Sequence, residues 1–307
     1  MLAVDKEQSM IDTFNHNREN KVGIVADVKE LSVDKIRELI GNTFIPIVVA
    51  GIPCQSYSLA GNRSIYDPRG SMVDEFFRII EGLKPAYFVI ENVPGILSML
   101  RPDLKTYVPE WIVQQAEALG YHARYKKLMA HHYGVGQSRP RVFFLGWLDG
   151  KPSPAFPRAT HSRDRGLMDL LGSRPKRYVT VADVLAAIPP GAPNQDLVYK
   201  FTDPDYIARV EKLGPGESVY NTYKESHRRL DPRFPAFTMK QNHGSIAIHP
   251  TETRMITLRE MAAFQDFPND YEFLGDNRKI AEMIGNAVPV GLSRAVAIQI
   301  KKVINES

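Results

Sequence analysis

Short runs of apolar, mostly β-branched or aromatic residues recur along the first half of the chain, and each one stops abruptly at a polar or turn residue. The runs at 45–50, 87–90 and 142–146 have the length and composition of buried sheet strands. Between them, 71–83 carries apolar residues at helical spacing, and 97–119 is also mostly helical in pattern. Strands that alternate with helices predict an α/β fold.

The first 30 residues contain two further short apolar runs that end next to an acid. Residues 1–5 predict a strand that closes on Asp5, 9–17 predict a helix, and 21–26 predict a strand that closes on Asp27. Carboxylates at strand ends can accept hydrogen bonds from the ribose hydroxyls or the adenine amine of a nucleotide-like cofactor. The same two acids could instead cap the helices that follow them.

The chain has a single cysteine, Cys54, which lies just past the carboxyl end of the strand predicted at 45–50. Gly51 and Pro53 end that strand, and ligands of open α/β sheets bind beyond the carboxyl ends of strands. The polar neighbours Gln55 and Ser56 fit a nucleophile. A free cysteine is also commonly a small buried hydrophobe, so this stretch alone leaves both interpretations open.

Further motifs follow at the ends or beginnings of the other predicted strands. They are Pro53-Cys54-Gln55, Glu91-Asn92-Val93 and Gln137-Ser138-Arg139-Pro140-Arg141, followed by the segment 254–268 and by a Gly-Asn-x-Val-Pro loop within 284–290. In this order, they resemble the DNA (cytosine-5)-methyltransferase family. The resemblance implies a Rossmann-like, S-adenosylmethionine-dependent methyltransferase domain with a smaller, mostly irregular or β target-recognition domain.

The resemblance also implies the catalytic residues. Cys54 would add as a thiolate to a cytosine ring carbon, and Glu91 would bond the ring nitrogen and the exocyclic amine. Arg141 would bond the ring carbonyl oxygen, whereas Arg139 belongs to the same catalytic set but is expected to position the loop or a phosphate. A structural ion pair is the alternative for both arginines. The target base must be flipped out of the duplex to be reached.

By the same resemblance the cofactor is S-adenosyl-L-methionine. The residues expected to bind it are Asp5, Asp27, Val28, Pro53, Asn286, Ala287 and Val288. The family's first strand and its Phe-x-Gly-x-Gly-type loop do not occur in this sequence. We expect a truncated start, and as a second explanation a split enzyme whose partner polypeptide supplies that strand; a degenerate copy is the third.

Composition adds limits to this interpretation. The chain has 307 residues, of which 43% are hydrophobic, so it can bury a full core. One cysteine excludes a disulfide framework and a cysteine-based zinc site, and the histidines do not fall at metal-ligand spacing. The sequence has no signal peptide and no run of about 18–20 apolar residues, so we expect a soluble, cytoplasmic protein without a metal.

The amino-acid composition of the chain changes between Trp147 and Pro250, a span that holds 12 of the 22 prolines. Residues 151–250 also carry 15 basic against 10 acidic residues, although the net charge of the whole chain is only +4. We therefore predict a catalytic domain at 1–189, a target-recognition region at 190–250 and a C-terminal segment at 251–307 that returns to the catalytic domain. The residues expected to contact double-stranded DNA are Gln55, Ser58, Arg63, Arg228, Arg229, Lys240 and Gln241.

The sequence therefore predicts a DNA (cytosine-5)-methyltransferase of the bacterial or phage modification type. Two alternatives remain open at this point. One is an RNA cytosine methyltransferase that uses the same chemistry. The other is a non-enzymatic or split-enzyme DNA-binding subunit that needs a partner polypeptide, as the absent glycine loop suggests.

Overall fold

The computed structural model describes residues 1–41, 43–52, 72–101, 105–163, 175–220, 227–240 and 247–306. The strands are β1 (Ala3–Asp5), β2 (Gly23–Val25), β3 (Ile47–Gly51), β4 (Tyr87–Asn92), β5 (Leu100–Arg101), β6 (Thr106–Tyr107), β7 (Tyr121–Met129), β8 (Pro140–Leu148), β9 (His161–Ser162), β10 (Lys176–Arg177), β11 (Arg228–Arg229) and β12 (Ala247–Ile248). The α-helices are α1 (Gln8–His16), α2 (Val33–Ile40), α3 (Met72–Leu83), α4 (Val108–Ala118), α5 (Val181–Ala186), α6 (Pro204–Glu211), α7 (Leu258–Phe264), α8 (Asn277–Asn286) and α9 (Val290–Asn305).

The central sheet has the strand order β3-β4-β8-β7. β3 and β4 are parallel, whereas β8 runs antiparallel to both of its neighbours. Because β8 runs the other way, its first residues lie beside the last residues of β4, and Asn92 pairs with Val142. The three apolar strands predicted from the sequence are confirmed, and the antiparallel direction of β8 brings its arginines to the edge where β4 ends.

Both faces of this sheet are covered by helices. On one face, Phe76 and Phe77 of α3 pack edge-to-face on Phe88 of β4, and Trp111 of α4 joins the same core. On the other face, α9 packs its buried apolar residues on β4 and β8. Gly146 of β8 permits the close packing, since an added Cβ would lie 2.1 Å from the ring of Phe88.

β1 and β2 form a separate parallel pair. Within the described ranges β1 has a ladder only with β2, and β3 has a ladder only with β4, so one edge of each is left without strand pairing. The two sheets share an apolar cluster in which Val4 and Val48 pack with Leu31. Val49 of β3 is nevertheless 66% exposed. The strand that the family resemblance expects would lie between β1 and β3.

A second core joins α5, the region before residue 250 and the C-terminal helices α7 and α8. Helix α5 contributes Val181 and Val184 to this core. The division of the chain at residue 189 stays a prediction. Of the described residues, no single helix is long and apolar enough to cross a membrane; only the bent pair α8 and α9 meets that test together, by length and composition.

Two expectations about elements are refined by the structure. Of the described residues within 97–119, Val108–Ala118 forms an α-helix, whereas Leu100–Arg101 pairs with Thr106–Tyr107 as two short antiparallel strands. The region at 190–250 contains α6 besides short strands and loops; Asp203 caps this helix and a proline follows in its first turn.

Candidate active site

The ends of β3 and β4 meet at one edge of the central sheet. Gly51 and Glu91 are paired in the ladder, and a Cβ added to Gly51 would lie 3.6 Å from Oε2 of Glu91. The carboxylate therefore stands over the residue from which the chain runs toward Cys54. Cys54 itself and the predicted site residues Pro53, Gln55, Ser58, Arg63 and Gln241 lie outside the described residues.

Glu91 forms an ion pair with Arg141, the second residue of β8. Nε of Arg141 lies 2.7 Å from Oε1 of Glu91, and the two side chains are only 8% and 15% exposed. Nη1 of Arg141 donates to the carbonyl of Pro140 at 2.8 Å. A carboxylate can accept several hydrogen bonds and a guanidinium carries five N–H donors, so both groups keep hydrogen-bonding capacity for a ligand.

Burial and charge act in opposite directions on Glu91. Burial raises the pKa of its carboxyl group, and the neighbouring Arg141 and Arg139 partly offset this by lowering it. Burial also lowers the pKa of Arg141, but a guanidinium stays charged near neutral pH. The site therefore places a carboxyl group that holds its proton to higher pH beside a fixed cation. Such a pair can protonate a ring nitrogen and stabilise negative charge on a neighbouring oxygen.

Asn92 holds the backbone that leads to Cys54. Its buried amide donates from Nδ2 to the carbonyl of Ile52 at 3.1 Å, and its Oδ1 accepts from the amide of Val93 at 2.8 Å. Asn92 belongs to the Glu91-Asn92-Val93 motif, but it is not among the site residues predicted from the sequence. The sequence does contain a signal for this contact. A buried strand that ends in a polar amide residue, directly before Val93 and Pro94, must find hydrogen-bond partners for that amide.

The structure separates the role of Arg139 from that of Arg141. Its guanidinium is 2% exposed and donates to the carbonyl oxygens of Met239, at 2.5 Å, and Gly285. Burial lowers its pKa to about 9, which leaves it charged at neutral pH. These contacts exclude the expected phosphate contact and fit the positioning of a loop. Gln137 of the same motif is equally buried, and it is not among the site residues predicted from the sequence.

The residues expected to bind the cofactor lie on two elements. Asp5 and Asp27 are exposed at the ends of the paired strands β1 and β2, and Oδ1 of each accepts an amide hydrogen bond from two residues further on, both at 2.9 Å. These are local turns and not helix caps, because α1 begins after Glu7, which has no side-chain cap, and Ser32 caps α2. The exposed carboxylates still fit a nucleoside. Arg78 of α3 holds the carbonyl of Val28 at 2.9 Å.

The second cofactor element is the turn between α8 and α9. Asn286 is the exposed last residue of α8, and Ala287 and Val288 follow it half-buried. Lys279 at the other end of α8 lies 3.5 Å from Glu7, two residues after Asp5. Helix α8 thus runs from the acidic ends of the first strands to the carbonyl of Gly285 that Arg139 binds. No cluster of three or more potential metal ligands occurs within the described ranges.

The predicted DNA contact of Arg229 is wrong. Arg229 is buried, and its guanidinium donates to the carbonyl oxygens of Val210, His249 and Glu252 at 2.8–3.2 Å, which stabilises the region from within. Its neighbour Arg228 is half-buried and donates from Nε to the carbonyl of Gly216 at 2.6 Å. Lys240 is exposed, directly after the segment that Arg139 holds.

Comparisons with known proteins agree with this geometry. The family model described as C-5 cytosine-specific DNA methylase matches residues 1–302. Type II methyltransferase M1.HphI of Haemophilus parahaemolyticus is 28% identical over 309 residues, which cover 98% of this chain and 80% of that protein. Type II methyltransferase M.DdeI of Desulfomicrobium norvegicum is 29% identical over 350 residues, with 98% and 82% covered.

Two solved structures share the fold. One is a prophage-encoded DNA modification methyltransferase of E. coli, with a TM-score of 0.77 and 21% identity over 99% of this chain and 92% of that one. The other is the Dnmt2 methyltransferase of S. pombe, with a TM-score of 0.67 and 14% identity over 99% and 91%.

Proposed function

The chain belongs to the C-5 cytosine-specific DNA methylase family, and from that premise we propose that Cys54, Glu91 and Arg141 carry out its reaction. It is an S-adenosylmethionine-dependent DNA (cytosine-5)-methyltransferase, like its Type II relatives. The observation that carries the assignment of roles is the Glu91–Arg141 ion pair, which stands over Gly51 at the sheet edge. Cys54 follows three residues later in the sequence.

In the proposed mechanism each residue acts on the flipped cytosine at a stated atom. The Cys54 thiolate donates an electron pair to carbon 6, and the ring electrons move to carbon 5, which becomes the nucleophile. Glu91 supplies the proton at the ring nitrogen and accepts from the exocyclic amine, while Arg141 binds the ring carbonyl oxygen, where negative charge develops. S-adenosylmethionine, when bound, supplies a methyl group that is activated by its sulfonium. Water then accepts the carbon 5 proton, the bond between carbon 6 and sulfur breaks with its electron pair returning to the Cys54 thiolate, and the ring nitrogen returns its proton to Glu91, which restores the ring.

We propose that the cofactor is held by Asp5, Asp27 and Val28 on one side and by Asn286, Ala287 and Val288 on the other, with Pro53. Support comes from the two exposed acids at adjacent strand ends and from α8, which links them to the turn at 286–288.

In the recognition region Arg228 and Lys240 remain proposed DNA contacts, together with Gln55, Ser58, Arg63 and Gln241. We also propose a cytoplasmic location, with which a DNA substrate is consistent.

We further propose that a strand from a partner polypeptide pairs between β1 and β3. The facing edges of these strands form no ladder within the described ranges, and Val49 on β3 is mostly exposed. Parallel strands are normally buried on both faces and paired on both edges, so the apolar surface at Val49 is suited to a further apolar element.

The experiment that tests the assignment compares the wild-type chain with Cys54→Ala. We expect methyl transfer from labelled S-adenosylmethionine to duplex DNA to be abolished in the variant, because only the covalent step is removed, while duplex binding is retained within about twofold. Unchanged turnover in the variant would contradict the proposed nucleophile. A parallel reaction with transfer RNA distinguishes the RNA alternative, since label in RNA and none in DNA would favour it.

A further inference from the structure

Gln137 and Arg139 hold the backbone of Met239 from both sides. The amide of Met239 donates to Oε1 of Gln137 at 3.0 Å, and its carbonyl accepts from Nη1 of Arg139 at 2.5 Å. Between them, the amide of Ser138 donates to the carbonyl of Ala236 at 2.7 Å. We call residues 137–139 the clamp. It fixes 236–239, the segment that leads directly to Lys240.

The clamp also reaches two C-terminal elements. Nη2 of Arg139 donates to the carbonyl of Gly285, the residue before Asn286, and Nε2 of Gln137 donates to the carbonyl of Phe264 at 3.1 Å. One guanidinium thus joins a recognition segment and a cofactor segment that lie 100 and 146 residues beyond it in the sequence, respectively.

Burial makes these bonds costly to break. Gln137 is 0% and Arg139 is 2% exposed, and Nε of Arg139 already has no partner among the described residues. If the carbonyl of Met239 or of Gly285 moved away, a second donor of a buried cation would lose its partner without access to water. A displacement of one segment therefore favours a matching displacement of the other.

We propose that Arg139 is a positioning residue that couples cofactor binding at 286–288 to the geometry of the recognition segment 236–240. This inference rests on the proposed function, because it takes the cofactor to bind at 286–288. Binding there would restrict Gly285, and Arg139 would transmit the restriction to Met239. By thermodynamic reciprocity, DNA bound at 236–240 would then strengthen cofactor binding by the same factor.

The test is amide hydrogen exchange of the full wild-type chain with and without S-adenosylhomocysteine, in the absence of DNA. We expect the ligand to slow exchange in peptides that cover 284–288 and also, by at least about fivefold, in peptides that cover 236–239, in line with ordinary coupling strengths. In Arg139→Lys, whose single ammonium reaches only one of the two carbonyls, protection at 284–288 should remain while the change at 236–239 is lost.

Arg259→Lys is the matched control. Arg259 is equally buried and donates to the carbonyl of Tyr271, but among the described residues it forms no hydrogen bond with either segment, so both ligand effects should persist. Wild-type protection at 284–288 without any change at 236–239 would overturn the coupling and leave the proposed function standing. Absence of ligand protection throughout the wild-type chain would overturn both. The comparison of the wild-type chain with and without S-adenosylhomocysteine tests the coupling even if Arg139→Lys does not fold.

Discussion

At the scale of single residues, the surroundings of Glu91 determine what this carboxyl group can do. Burial raises its pKa, and Arg141 and Arg139 limit the rise. The carboxyl group of Glu91 therefore keeps its proton to a higher pH than it would in water. A reaction step that needs protonated Glu91 is fully available below the raised pKa and is lost as the pH rises through it.

Substitution of Arg141 tests how burial and the neighbouring positive charge together set the pKa of Glu91. In Arg141→Gln the pKa of Glu91 should rise further, because burial remains and the main opposing charge is gone; carbon-13 NMR titration of labelled glutamate carboxyls measures it. We expect kcat to fall by about 10²–10³-fold, the usual loss for one preorganised donor. Arg177→Gln, at an exposed pair with Asp183, should change neither quantity. A Glu91 pKa that moves downward in Arg141→Gln would contradict this account.

At the scale of elements, the ends of β3 and β4 and the beginning of β8 assemble the site. β4 supplies Glu91 and Asn92, β8 supplies Arg141, and Asn92 fixes the carbonyl of Ile52 where β3 runs out. These strands hold Ile52, the last described residue before Cys54 in the sequence. In the proposed mechanism Asn92 makes no contact with substrate and acts only through the carbonyl of Ile52.

Asn92→Ala tests the contribution of the hydrogen bond between Asn92 and the carbonyl of Ile52. The buried Ile52 carbonyl would lose its side-chain donor, so the free energy of unfolding should fall by about 1–3 kcal/mol, measured by urea denaturation. We expect kcat to fall while the affinity for S-adenosylhomocysteine is unchanged. Asn269→Ala is the matched control, because its amide also binds a backbone carbonyl, that of Ala187, but at an exposed site. Equal effects of the two substitutions on kcat would contradict the positioning role.

The sequence predicts most elements that carry the site, because local patterns determine them. The apolar runs of β3, β4 and β8 and the helical spacing of α3 each need only neighbouring residues. β7 was not predicted, since at the sheet edge its Lys126 and Lys127 are both exposed and the alternation of polar and apolar positions is lost. The hydrogen bonds of Arg139 and Arg229 could not be predicted from the sequence for another reason. Their acceptors lie up to 146 residues away along the chain, and no local pattern marks them.

At the scale of the whole molecule, the proposed reaction lies between two cores. One core holds the central sheet with α3, α4 and α9, and the other joins α5, the recognition region, α7 and α8. The Gln137–Arg139 clamp crosses from the first core to the second. Cofactor, target base and nucleophile would therefore meet at a boundary whose two sides are bonded to each other through buried polar groups.

The most direct test of the central claim is a covalent trap. The chain is incubated with S-adenosylmethionine and duplex DNA in which 5-fluorocytosine replaces cytosine, because fluorine at carbon 5 blocks release of the enzyme after methyl transfer. We predict an adduct that resists denaturation, that maps by mass spectrometry to the Cys54 peptide and that is lost in Cys54→Ala. An adduct that persists in Cys54→Ala, or no adduct with or without a polypeptide that supplies the strand between β1 and β3, would contradict the account.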